Sequence, residues 1–82
     1  MSIEAIRAAT ADVRDQLTAA HHDVAAARGQ LAAAVRILDD LSRNHSSSLV
    51  PPEHRRADEQ LAGCLELIAG SLACIDRFVA GL

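Results

Sequence analysis

Aromatic side chains are almost missing from this chain: Phe78 is the only one, and there is no Trp or Tyr. A core without aromatics must be built from aliphatic groups and methyls. Alanine occurs 17 times in 82 residues, and each buried methyl contributes only about 0.8 kcal/mol. One small domain of this length is marginal in any case and usually gains stability from a staple or an oligomer. Lysine is also absent, so all eight basic residues are Arg, a usage that suits a GC-rich coding sequence. Excess positive charge is missing too. The net charge is −3, so the basic footprint of a nucleic-acid binder is lacking and attraction to anionic membranes is disfavoured.

Cysteine is scarce. Cys64 and Cys74 lie ten residues apart, about 15 Å along one helix, beyond disulfide reach within the chain. They read as two small buried hydrophobes in a reducing cytoplasm; an interchain bridge or a reactive thiol is the sharper alternative. The opening MSIEAIRAATADVRD has no basic region followed by an apolar core, so no secretory signal is expected there. Residues 61–82, LAGCLELIAGSLACIDRFVAGL, carry Glu66, Asp76 and Arg77, and three charges make a bilayer span costly.

What the sequence does have is periodicity. Ile3, Ile6, Thr10, Val13, Leu17, Ala20, Val24, Ala27, Leu31, Ala34, Leu38 and Leu41 alternate spacings of three and four, which is a heptad seam. Ser2 can cap its start, with Glu4 favourable in the first turn. The spacing predicts one helix over about 2–42. Residues 43–51, with three serines, Asn44 and the start of the Pro51–Pro52 pair, predict a loop. A second helix is expected over about 52–80, with proline in its first turn. Leu61, Leu65, Ile68, Leu72, Ile75, Val79 and Leu82 form its seam. Cys64, Leu67, Ser71, Cys74 and Phe78 form a flanking stripe, which one neighbouring helix cannot cover as well. Gly63 and Gly70 share a third strip where another backbone could approach.

Two helices joined by a short loop pack antiparallel. Folding about residues 47–48 sets Leu31 near Cys64 and Leu65, Val24 near Leu72, and Leu17 near Phe78 and Val79. The first turns of the longer helix then overhang, with Ile3, Ile6 and Thr10 uncovered. Arg7, Arg14, His21 and Arg28 recur every seven residues along one edge of the seam, where coiled coils place ion pairs. Glu66 is the expected partner of Arg28, and Asp76 or a second chain that of Arg7 or Arg14.

Chemistry-bearing motifs are absent. Adjacent His21 and His22 point about 100° apart and have no ligand one turn away. There is no Cys-x-x-Cys, His-Glu-x-x-His or Gly-rich phosphate loop, and Ser46–Ser48 have no base placed beside them. No catalytic residue, metal site or cofactor is expected, and the histidines read as solvated surface groups.

Two resemblances follow from these residues. SIEAIRAATADVRDQL is similar to the first helix of the helical chorismate mutases, with Ile6, Arg7, Val13 and Leu17 matching in kind. That family uses several Arg and Lys from different helices, whereas here Val24 stands where a second arginine is needed and no lysine exists. Over its whole length, two long helices around the loop SRNHSSSLVPP, the chain resembles the ESAT-6-like (WXG100) proteins of actinobacteria, and more closely other actinobacterial Ala-rich helical hairpins. The loop lacks Trp-x-Gly and the tail lacks the Tyr-based export signal. The resemblance implies a hairpin that pairs into a four-helix dimer.

The reading is therefore all-α: an antiparallel two-helix hairpin that assembles as a homodimeric four-helix bundle. It predicts a cytoplasmic, non-enzymatic protein–protein interaction module. Its partner is itself or another helical protein, with neither nucleic acid nor membrane involved. Ile3, Ile6, Leu67, Cys74 and Phe78 are the expected interface, flanked by the column Arg7, Arg14 and Arg28. The alternative function is a bundle binding a small molecule between helices, lined by Ala, Gly, Cys64, Ser71 and Cys74.

Overall fold

The computed structural model describes residues 1–82. Helix α1 spans Ile3–Ser42 and helix α2 spans Glu53–Ala80, with no strand. They form one antiparallel hairpin measuring 65 × 15 × 14 Å. Ser2 caps α1: its hydroxyl accepts a hydrogen bond from the Ala5 N–H at 3.0 Å. That satisfies one of the amides left free at a helix start. Pro52 precedes α2, where its missing N–H costs nothing.

The inner seam of α2 follows the expected spacing. Leu61, Leu65, Ile68, Leu72, Ile75 and Val79 are all half-buried against α1, while Leu82 is exposed past the helix end. The seam of α1 differs from the expected one. Leu17, Val24, Leu31 and Leu38 face inward, joined by His21, Arg28, Val35 and Ser42. Val13, Ala27, Ala34 and Leu41 are exposed instead, while Ala20 of the same column stays half-buried. A single antiparallel neighbour covers only a narrow arc, and here it covers the arc one residue further round. The column of every seventh residue from Val13 to Leu41 is left pointing sideways, about 80° from the contact.

The register is also shifted. Arg28 bonds Asp58, not Glu66, an offset of eight residues. The cause is the loop. The chain turns at once after α1, with the His45 N–H bonded to the Ser42 carbonyl at 2.9 Å. It then runs back along α1, so that the Leu49 N–H reaches the Ser42 hydroxyl at 2.7 Å. Val50 is half-buried and lines a hollow with Leu31 and Val35. The returning strand of loop draws α2 toward the open end of the hairpin. Ile6 and Thr10 become half-buried, and the overhang shrinks to Ile3, which is 54% exposed.

No residue of the chain is buried. The interhelical surface is one strip of largely aliphatic side chains between two rods, edged by the Arg14–Asp76 and Arg28–Asp58 ion pairs.

Candidate interaction surface

The two helices leave two long flanks, and they are chemically different. On one flank Arg14 grips Asp76 with two hydrogen bonds of 3.0 Å, and Arg28 grips Asp58 with two of 2.7 and 3.1 Å. These are bidentate guanidinium–carboxylate pairs, the geometry that arginine favours and lysine cannot reproduce. Hydrogen bonding to Asp58 raises the Arg28 value above its ordinary one, and the Asp58 charge adds to this against partial loss of water. Hydrogen bonds from Arg28 hold the Asp58 carboxyl below its ordinary value, with the Arg28 charge assisting and desolvation opposing. His21, expected at the solvated surface, is half-buried beside Arg14, Ala25 and Leu72 on this flank. Arg7 makes no ion pair; the carbonyl of Arg7 accepts the Thr10 hydroxyl instead.

The other flank has no charge pair between the helices. α1 supplies Val13, Ala20, Ala27, Ala34 and Leu41, with Ile37 beside them. α2 supplies Cys64, Leu67, Ser71, Cys74 and Phe78. Val13 and Leu17 share a shallow open trough with Leu67, Ser71 and Cys74, which shows that both rows lie on the same side. Leu67 is 74% exposed, Ile37 62% and Phe78 54%. Apart from the termini and Leu49, every large exposed apolar side chain of the molecule lies on this flank. The α1 row adds Val13, Ile37 and Leu41, which the heptad reading had placed inside or left out. Their signal was in the sequence: two apolar columns on a helix with only one partner to hide them.

Both thiols are free and exposed, contrary to the expectation of burial. A small side chain on a column that faces away from the sole neighbour has nothing to cover it. The Arg77 guanidinium donates to Cys74 Sγ at 3.1 Å. Cys74 and Ser71 line the open trough, whereas Cys64 lines no hollow. Gly63 and Gly70 have open space where a side chain would stand. No three metal-ligating side chains converge. His54, half-buried at the start of α2, keeps its Nδ1 without a hydrogen-bond partner. No helix is long and apolar enough to cross a membrane.

Compared with known proteins, the chain matches no family model, no curated protein and no solved structure.

Proposed function

We propose that this chain is a non-enzymatic interaction module that works by self-association, pairing two hairpins into a dimeric four-helix bundle that serves as an adaptor, scaffold piece or small regulator. The observation that carries this is surface area. A folded monomer of 8.7 kDa is expected to expose about 4,700 Å². This hairpin exposes 6081 Å², an excess of about 1,300 Å². Two copies hiding that excess from each other bury about 2,600 Å² in all, within the range of obligate homodimers. The apolar flank supplies the chemistry for such an interface, and the ion-paired flank does not need one.

Solution mass by light scattering at micromolar concentration, with and without reductant, tests this. The expected result is a dimer indifferent to reductant. Phe78→Asp should weaken assembly at least 100-fold, about 3 kcal/mol, while Arg36→Ala should leave it unchanged. A monomeric wild type, or a Phe78→Asp protein of unchanged mass and melting temperature, would sink the reading.

A further inference from the structure

Resting on that self-association, we infer that the two copies pair antiparallel, α1 on α1, about a two-fold axis at Ala27. The sideways column of α1 reads Val13, Ala20, Ala27, Ala34, Leu41. It is large at both ends, small through the middle, and symmetric in size about Ala27. An isologous contact requires each position to meet its mirror position in the partner. Antiparallel pairing about Ala27 sets Val13 on the partner's Leu41 and Ala20 on the partner's Ala34. Ala27 then meets the partner's Ala27. Three successive alanine contacts allow the helix axes to come as close as about 8 Å, and the bulky ends close the seam.

Coverage decides between this and the alternative in which both hairpin tips lie together. There the apolar column of α1 would face the partner's α2. Arg28 stands opposite Asp58 and α2 begins at Glu53, so α2 ends well short of the level of Ile37 and Leu41. Those two side chains, 62% and 53% exposed, would find only loop across from them. α1 alone, 40 residues or about 60 Å long, runs nearly the full 65 Å of the molecule, so only a second α1 covers Val13 at one end and Ile37 and Leu41 at the other. The same arrangement sets Phe78 against the partner's tip loop, near the partner's Leu49, which is the one other large apolar side chain exposed away from the termini. Cys64 and Cys74 lie off the axis, so neither meets its own copy.

The test is disulfide trapping in a Cys64→Ser, Cys74→Ser background whose mass is measured first. Ala27→Cys should form a covalent dimer within minutes of mild oxidation, since residues facing across the axis come within the 4.4–6.8 Å that a disulfide spans. Ala20→Cys alone should cross-link at least tenfold more slowly, and a mixture of Ala20→Cys and Ala34→Cys should restore the fast rate. A dimer in which Ala27→Cys stays reduced, while Ala20→Cys with Leu67→Cys links readily, would overturn the antiparallel pairing and place the tips together. A monomeric background protein would overturn self-association itself. If both Ala27→Cys and the Ala20→Cys, Ala34→Cys mixture fail in a confirmed dimer, the α1 contact is wrong.

Discussion

The two flanks of the hairpin are built on the same backbone and finished by opposite means. On one, Arg14–Asp76 and Arg28–Asp58 lock the helices in register with side chains already satisfied. On the other, Val13, Ile37, Leu41, Leu67 and Phe78 lie against nothing. A satisfied carboxylate can stay in water at no cost, whereas an exposed row of aliphatic side chains is the residue of an unfinished core. On the proposed pairing, the ion-paired flank is an outside and the apolar flank is half of an inside.

One carboxylate placed on each flank breaks the comparison most sharply. Ala27→Asp puts two negative charges face to face at the proposed axis and strips them of water, so the dimer should weaken more than 100-fold, about 3 kcal/mol or more. Ala25→Asp, two residues away, stands on the ion-paired flank near Arg28 and should change stability by no more than about 0.5 kcal/mol. Sedimentation and thermal melting of the two proteins read this directly. Equal behaviour would erase the distinction between the flanks.

How much of this could be read from the sequence differs between the helices. The seam of α2 is legible because its inner positions are consistently Leu, Ile and Val, so the apolar spacing and the contact coincide. In α1 the columns of Val13 and of Arg14 flank the same inner residues, and apolarity favours the wrong one. Arg28 and Val35 face α2 while Ala27 and Ala34 do not, because a bidentate ion pair and a valine outweigh alanine methyls at a contact. The register was hidden in the loop. Nothing in SRNHSSSLVPP announces that the Ser42 hydroxyl will hold Leu49 and fold the strand back on α1. The apolar stripe of α2 is legible as surplus; its continuation across α1 is not, since Val13 and Leu41 fit the seam spacing and Ile37 stands outside it.

Glycine offers a smaller effect that sharpens the same contrast. Gly29 and Gly70 are both helical with free space where a side chain would stand. Gly29→Ala should stabilise by roughly 0.5–1 kcal/mol through chain entropy alone, raising the melting temperature by several degrees in a domain of this size. Gly70 is exposed at the edge of the trough lined by Leu67, Ser71 and Cys74, and nothing lies within 4 Å of an added side-chain carbon there, so Gly70→Ala should give the same gain. A loss of stability together with a loss of dimer at Gly70→Ala would mean that a partner backbone lies against that strip. The interface would then wrap around α2 instead of stopping at Phe78.

The smallest effect concerns the ion-paired flank and depends on pH. The Asp58 carboxyl is held below its ordinary value of 3.8, first by the hydrogen bonds from Arg28. A folded value below the unfolded one means that the pair stabilises above the unfolded value and loses this as pH falls through the folded one. The raised value of Arg28 acts only in strong alkali and plays no part in acid. Asp58→Asn should therefore melt slightly below wild type at pH 7, by an amount limited by solvent screening of a half-exposed pair. The gap should close as pH drops below 3.8. Dimer mass at pH 7 should not change, because this flank faces solvent in the proposed bundle. A melting gap as wide at pH 3 as at pH 7 would mean that Asp58 matters for packing rather than charge. A fall in dimer mass would bring the ion-paired flank into the interface and reverse the assignment of inside and outside.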